Sequence, residues 1–421
     1  MLYSVVLFAV TYVLMLAFQK YRPFIALTSA AVFVASGMLP WDKALGYVDF
    51  NVLMMIAGTM GTVALLIESK MPALLADLIL ERVPNVKWAI VTLSLFAGIV
   101  SAFIDNVATV LMIAPIALAI AKKLDISPVG MVISIAVSSN LQGAATLVGD
   151  TTSILLGSYA GMNFLDFYVY RGKPGIFFAV ELGALASASL LLVLFKNETG
   201  KVTAQARTVV TDYVPSILML LTVLLLIVAS VIPNTPALIN GEICMGLMMI
   251  GVIYNAIRKQ DIKAIGAVLK EIDLSTLLLL FGLFMVVGGI TETGVVDAIA
   301  ALFTRLGGNS LFLIYTIIVW ASVLFSAFID NIPYVATMLP VTKGIAASMG
   351  IDPTLLYFGL LSGATLGGNL TPVGASANIA GIGILRKEGY VVKNRDFLRI
   401  GVPFTLTAVI PAYIFFWVFY S

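Results

Sequence analysis

The chain has 421 residues, of which 61% are hydrophobic and 11% are charged. This composition excludes an ordinary soluble domain and is typical of a polytopic membrane protein, because many apolar runs approach the roughly 20 residues that span a bilayer. A formal net charge of +2 without a basic run excludes nucleic acid as a partner, and one cysteine with no histidine excludes an internal disulfide and His-ligated zinc.

Apolar runs and charged interruptions divide the chain into four predicted segments. These are N-terminal scaffold helices over 1–45, a first repeat over 46–196, linker helices and cytoplasmic loops over 197–270, and a second repeat over 271–421. Each repeat is predicted to contain a helical hairpin and then a broken helix, at 88–121 and 126–165 in the first repeat and at 310–342 and 354–385 in the second.

The hexapeptide Ser-Ala-Phe-Ile-Asp-Asn occurs twice, at 101–106 and at 326–331. The stretches 101–154 and 326–379 align without a gap, and 18 of their 54 residue pairs are identical. Each hexapeptide places an acid and an amide in an apolar stretch, where ionisable groups are costly and usually functional. The sequence therefore predicts a duplicated binding element.

The distribution of lysine and arginine predicts the topology. Basic clusters at 258–270 and 386–399 mark two cytoplasmic loops, so an even number of crossings must lie between them. Charge alone does not distinguish a re-entrant hairpin from two full spans, but the apolar turn favours re-entry. The number of membrane crossings between the two repeats is odd, which makes the repeats inverted and places both termini outside. Arg171 and Lys173 do not fit this topology, because it places them outside.

The predicted fold is therefore all-α, with two inverted repeats, about ten transmembrane helices, two re-entrant helical hairpins and two broken helices. Broken helices expose backbone groups and half-helix dipoles, which together with hydroxyl and amide oxygens suit a hard cation such as Na⁺. The predicted ion- or substrate-binding residues at the tips and breaks are Ser101, Asp105, Asn106, Asn140, Thr146, Gly149, Asp150, Thr151, Thr152, Ser153, Ser326, Asp330, Asn331, Thr365, Asn369, Thr371, Gly374, Ser376 and Asn378.

These residues also have structural interpretations. Asp105 and Asp330 are suited to cap the helices that start at the tips, and glycine, serine and threonine commonly serve helix packing in membranes. Asp105, Asp150 and Asp330 lie in stretches without lysine, arginine or histidine. An acidic centre without counter-charge must take up a cation or protons, so we expect Na⁺ near Asp105, Asn106 and Asp150, and near Asp330, Asn331 and Asn378.

The hexapeptide, followed by Pro115 and by Gly-Ala-Ala-Thr-Leu-Val-Gly-Asp ending at Asp150, resembles the ArsB/NhaD branch of the ion transporter superfamily. That superfamily includes the divalent anion–sodium symporters of the INDY type and the melanosomal P protein. The resemblance implies a homodimer and an elevator-type motion. It is nearest to the sodium/proton antiporters, and the arsenite-pump pattern Ala-Asn-Asp-Gly does not occur at the first tip.

The sequence thus predicts a multi-pass secondary transporter of the inner or plasma membrane that exchanges Na⁺ for H⁺, with the lipid bilayer and a small ion as partners and no enzymatic cofactor. The alternative is a Na⁺- or H⁺-coupled anion transporter on the same fold, such as a citrate, dicarboxylate, oxyanion or arsenite permease. An intramembrane aspartyl protease is disfavoured because Leu147 stands at the first glycine of the required Gly-x-Gly-Asp motif. A passive channel would differ from a carrier in lacking gradient-driven, saturating transport.

Overall fold

The structure is a computed structural model that describes residues 1–202, 207–308 and 310–421. Residues 203–206 of the segment predicted as a linker lie outside the described part. The described residues fold almost entirely into helices, and their one strand pair joins Val169–Tyr170 to Lys173–Pro174 in antiparallel fashion.

Ten helices form the first half of the chain. They are α1 (Leu2–Ala17), α2 (Arg22–Ala35), α3 (Trp41–Ala44), α4 (Phe50–Glu68), α5 (Met71–Leu80), α6 (Val86–Ser101), α7 (Asn106–Leu124), α8 (Val129–Gln142), α9 (Thr151–Ala160) and α10 (Ile176–Leu194).

The described residues of the second half form ten more. They are α11 (Val214–Val231), α12 (Ile239–Lys259), α13 (Lys263–Lys270), α14 (Leu274–Glu292), α15 (Val295–Gly307), α16 (Leu311–Ser326), α17 (Asn331–Met349), α18 (Thr354–Gly367), α19 (Ser376–Lys387) and α20 (Asn394–Tyr420).

The bounds of the helices follow the internal repeat. Helices α6, α7 and α8 recur as α16, α17 and α18 with both ends displaced by 225 positions, and α4 recurs as α14 with both ends displaced by 224. The turn of 3₁₀-helix that follows α8 recurs after α18. The duplication predicted from the sequence is therefore also a duplication of local structure.

Each repeat contains a helical hairpin and a broken helix, as expected. Helices α6 and α7 meet at the tip 102–105, and α16 and α17 meet at 327–330. Helix α8 ends at Gln142, the backbone is extended at Thr146, and α9 begins after Asp150. The second repeat has the same break between α18 and α19.

The first helix of each repeat packs against a helix from outside that repeat. A side chain at Gly58 of α4 would overlap the backbone of Cys244 in α12, and one at Gly282 of α14 would overlap the backbone of Ala26 in α2. Glycine is required at these two positions because the helix backbones approach so closely. The contacts place α2 beside the second repeat and α12 beside the first.

Seven helices in the described part of the chain are long and apolar enough to cross a membrane: α4, α7, α10, α11, α12, α14 and α20. Helices α1 and α2, with 16 and 14 residues, are individually short for a span and meet at a bend of 119°. The apolar runs that begin the sequence therefore form a bent pair, and the corner between them contacts the second hairpin through Arg22.

Candidate functional site

The two tip acids begin the second arm of each hairpin. The side chain of Asp105 accepts hydrogen bonds from the backbone N–H groups of Val107 and Ala108 at 3.0 and 3.1 Å. Asp330 accepts one from Ile332 at 3.2 Å. Both acids are helix caps, as one interpretation of the sequence expected. In each carboxylate the cap uses one oxygen, Oδ1, and leaves Oδ2 for other partners.

Each break packs directly against the tip of its own hairpin. The hydroxyl of Thr146 donates to the carbonyl oxygen of Ala102, and that of Thr371 donates to the carbonyl oxygen of Ala327. A Cβ at Gly149 would lie 2.6 Å from the carbonyl oxygen of Ala102. The tip and the break of one repeat therefore pack together as one unit. Their close approach requires glycine at position 149, because a side chain there would overlap the backbone of the tip.

A chain of side-chain amides connects the two broken helices. Asn369 donates to the carbonyl oxygen of Val137 at 2.8 Å, and its own oxygen accepts from Asn140 at 3.1 Å. Asn140 also donates to the carbonyl oxygen of Thr365 at 2.7 Å and accepts from Asn106 at 3.0 Å. Because main-chain carbonyls can only accept, they fix the orientation of every amide in the chain.

The amide chain ends at Asn106 in the first tip. The nitrogen of Asn106 is committed to Asn140. Its oxygen has no hydrogen-bond partner among the described residues, while the residue lines a cavity. The Asn106 side chain therefore retains an unpaired acceptor oxygen beside the cavity that it lines.

Asp150 connects the first break to the second hairpin. Its Oδ2 accepts from the hydroxyl of Thr152 at 2.7 Å and from the amide of Asn331 at 3.4 Å. The hydroxyl of Thr152 lies 3.0 Å from that of Thr365 in α18. The two repeats thus meet at Asp150. It is the only carboxylate in either break, since the equivalent residue of the second break is Ala375.

The structure encloses a cavity of about 210 Å³ between the tips. Its lining includes Asp105 and Asn106 of the first tip, Asp150 of the first break, and Asn331 of the second tip. Glu271 and Asp273, both exposed, also line it, and they follow the basic stretch 258–270 in the chain. The described lining residues contain four carboxylates and no lysine or arginine.

A second cavity, of about 180 Å³, is the repeat-related counterpart of the first. Asp49, Phe284, Val287, Thr291 and Ala336 line it, at the positions that correspond to Asp273, Met60, Val63, Ile67 and Leu111 of the first cavity. No tip residue from 327–331 is among its described lining residues. Of these two cavities, the first is lined by residues of the hairpin tips and the described lining of the second contains none, so the two halves differ in this respect.

The other expected site residues lie around this centre. Thr151 and Ser376 line the first cavity, and Ser376 donates to Asp330 at 3.4 Å. Ser153 and Asn378 donate to the carbonyl oxygens of Gly143 and Gly368. The buried oxygens of Ser101, Ser326 and Asn378 have no hydrogen-bond partner in the described structure.

One expectation about charge is wrong. Asp330 has a counter-charge, because the Arg22 guanidinium lies 3.1 Å from its Oδ2. The prediction considered only nearby sequence, whereas Arg22 comes from the α1–α2 corner. In addition, the described part of the chain contains no group of three or more Asp, Glu, His or Cys residues placed to hold a metal ion.

Sequence reasoning also missed Glu271, Asp273 and Thr276 in the cavity wall. The recurrence of Asp49 as Asp273 in the two repeats was the signal that could have found this edge. Arg22 carried no such signal, because a basic residue after an apolar run is usually interfacial.

Comparison with known proteins places the chain among transporters. The sequence profile of the citrate transporter family (CitMHS) matches residues 12–363. An uncharacterised transporter of Mycobacterium tuberculosis is 30% identical over 99% of this chain and 98% of its own length. The 46 kDa membrane protein of Mycobacterium leprae is 31% identical with the same coverage.

Two more distant proteins also match. The P protein of Mus musculus is 26% identical over 96% of this chain and 58% of its own length. The crystal structure of the YdaH transporter of Alcanivorax borkumensis, described as having an unusual topology, superposes with a TM-score of 0.62 over 96% of this chain and 97% of that one, at 14% identity. The second likeness is one of fold.

Proposed function

The chain belongs to the citrate transporter family, within the ion transporter superfamily, and from that premise we propose that it is a secondary transporter that exchanges Na⁺ for H⁺ at the cavity between its hairpin tips. The observation that carries the proposal is the charge of the cavity wall, with Asp105 and Asp150 at its inner end and no described cation among the lining residues. Burying such carboxylates without a counter-ion is costly, so they take up a cation or protons.

Competition for the same carboxylates would couple the two ions. Sodium binding at Asp105, Asp150 and the amide oxygen of Asn106 displaces protons from the acids, and protonation removes the charge that holds sodium. The cavity opens towards Glu271 and Asp273, which offers the ion a route of matching charge. We further propose that a homodimer in the cell membrane carries the site across by an elevator motion, as the family resemblance implies.

The test uses purified protein in sealed liposomes with an acidic interior and a pH-sensitive dye inside. External Na⁺ should dissipate the gradient with no anion substrate present. Asp150→Asn should weaken the sodium response about tenfold or more, because a hydrogen bond or contact to a charged group is worth about 1.5–3 kcal/mol. Glu181→Gln removes an acid from α10 outside the cavity lining and should keep the response. If external Na⁺ leaves the pH gradient unchanged with the unmodified protein, the proposal is wrong.

Cation-coupled anion transport is the second candidate, and the family description favours it. A citrate trianion would meet Asp105 and Asp150 with no described cation in the cavity wall, so it would enter only together with cations. The nitrogens of Asn106 and Asn331 each donate one hydrogen bond to a protein oxygen, which leaves each amide one N–H for an anion. Uptake of labelled citrate that requires Na⁺ or a pH gradient in the same vesicles would decide for this candidate.

A further inference from the structure

Among the described residues, the second hairpin tip has a charged partner and the first tip has none. Arg22, at the start of α2, places its Nη1 3.1 Å from Oδ2 of Asp330, and both side chains are 14% exposed. Its Nε donates to the carbonyl oxygen of Met15 at 3.2 Å, which holds the guanidinium at the corner between α1 and α2. The pair is thus largely buried. A main-chain hydrogen bond holds each partner in place, from Arg22 to the carbonyl oxygen of Met15 and to Asp330 from the N–H of Ile332.

A second contact holds the same corner against the same hairpin. The hydroxyl of Tyr12 in α1 donates to the carbonyl oxygen of Pro333 at 2.7 Å and is also hydrogen-bonded to the hydroxyl of Thr337. Both partners lie in the first two turns of α17. The position of Arg22 is therefore built into the packing of α1 and α2 on this hairpin.

The packing of α2 and α12 identifies the position that corresponds to Arg22 in the other half. Ala26 lies against Gly282 in the same way that Cys244 lies against the equivalent Gly58. Four residues before Ala26 stands Arg22, and four before Cys244 stands Asn240. The first half therefore has a neutral amide, Asn240, at the position of α12 that corresponds to Arg22 in α2.

The charges around the two tips differ accordingly. The hydrogen bonds to Asp105 in the described structure come from the backbone of its own helix, and the residue lines the first cavity together with Asp150. Asp330 is paired with Arg22 and is not among the described lining residues of that cavity. Oxygen ligands are nevertheless present in the second half, since the buried oxygens of Ser326 and Asn378 have no hydrogen-bond partner in the described part of the chain.

We propose that Arg22 is a tethered cation that takes the electrostatic place of a second transported ion, so that the protein binds one exchangeable cation, at Asp105 and Asp150. A sodium ion added beside the neutral Arg22–Asp330 pair would leave a buried positive charge without compensation, which is unfavourable. The same ion added beside Asp105 and Asp150 reduces an existing excess of negative charge. This inference rests on the proposed cation transport. It specifies in addition that one cation binds and that Arg22 determines this number.

The first test compares the two tip acids by sodium-linked thermal stability of the purified protein, with choline replacing sodium to keep the ionic strength constant. The slope of the stabilisation against the logarithm of sodium concentration counts the ions that bind only the folded protein. We expect one ion for the unmodified protein, one for Asp330→Asn and none for Asp105→Asn. Two ions in the unmodified protein, or loss of an ion in Asp330→Asn, would overturn the proposal.

The second test removes the tethered charge. Arg22→Gln should raise the count from one ion to two, because Asp330 then requires an external cation. Arg22→Lys keeps the charge and should keep the count at one, and the double variant Arg22→Gln/Asp330→Asn should return to one. A purely structural ion pair would alter the melting temperature without altering the count, so a count of one in folded Arg22→Gln would contradict the proposal.

The design separates this inference from the proposed function. If the unmodified protein shows no sodium response, sodium transport fails, and the stability is then scanned against Li⁺, K⁺ and pH. A cation or proton response that arises in Arg22→Gln and disappears in the double variant still supports the tethered cation. The absence of any such response overturns it. If Arg22→Gln does not fold, the comparison of Asp105→Asn with Asp330→Asn decides.

Discussion

At the scale of single residues, the glycines of the two breaks set how closely each break approaches its hairpin tip. Gly149 lies where a Cβ would be 2.6 Å from the carbonyl oxygens of Ala102 and Gly143, and Gly374 has the same surroundings in the second repeat. Such an overlap involves main-chain atoms on both sides, so it cannot be relieved by turning a side chain.

We therefore expect Gly149→Ala to lower the stability by about 1–3 kcal/mol and to abolish sodium-driven exchange, because the tip that carries Asp105 must move. The control is Gly383→Ala in α19, where a Cβ meets nothing within 4 Å and where alanine favours the helix. Melting curves and liposome assays of both variants check this. Equal stability and transport in the two variants would show that the break tolerates a wider spacing.

The sequence predicted the aspartates and amides of the centre but not their partners. Asp105, Asp150 and Asp330 could be singled out because each interrupts an apolar stretch. The pairing of Asp330 with Arg22 joins residues 308 positions apart. No local pattern encodes such a contact, which depends on how the α1–α2 pair is packed against α14 and α17.

At the scale of elements, the hairpins and breaks could be predicted because their sequence signals are local. The repeated hexapeptide places the tips, and glycines in register place the breaks. The α1–α2 pair could not be predicted in the same way, because two apolar runs separated by basic residues are also typical of two spans. Its bend of 119° lies at a short 3₁₀ turn over Gln19–Tyr21, directly before α2, whose first turn contains Pro23.

The amide chain across α8 and α18 gives a prediction for these elements. In Asn369→Ala, the second break receives the residue that the first break has at the equivalent position, Ala144. It removes two hydrogen bonds of Asn369, which should cost about 1–3 kcal/mol, and it leaves Asn140, which holds Asn106, donating only to the carbonyl oxygen of Thr365. We expect a lower sodium affinity as well as a lower melting temperature. Sodium titrations of exchange in liposomes measure the first effect.

Asn255→Ala is the matched control for that experiment. Asn255 is a buried asparagine of α12 whose side-chain nitrogen has no hydrogen-bond partner in the described structure. Its replacement should leave the sodium affinity unchanged. If both variants show the same affinity as the unmodified protein, the amide chain does not orient the ligand at the first tip.

At the scale of the whole molecule, the two repeat-related cavities distinguish the two sides of the protein. Ile67 lines the first cavity, next to Glu271 and the basic loop over 258–270 that is predicted to be cytoplasmic. Its counterpart Thr291 lines the second cavity, near Tyr47 and Asp49. If the repeats are inverted, these two equivalent positions must face opposite sides of the membrane.

Cysteine labelling tests this arrangement, and the chain is suited to it because Cys244 is its single cysteine. In a Cys244→Ala background, Ile67→Cys should react with a membrane-impermeant maleimide only from the cytoplasmic side, and Thr291→Cys only from the outside. Both side chains are exposed at the ends of their cavities, so each should be reachable without unfolding. Ile154→Cys, a buried position in α9, is the control for labelling caused by unfolding. Labelling of both positions from one side would mean that the repeats are parallel, and the cavities could not then serve as alternating entrances to one site.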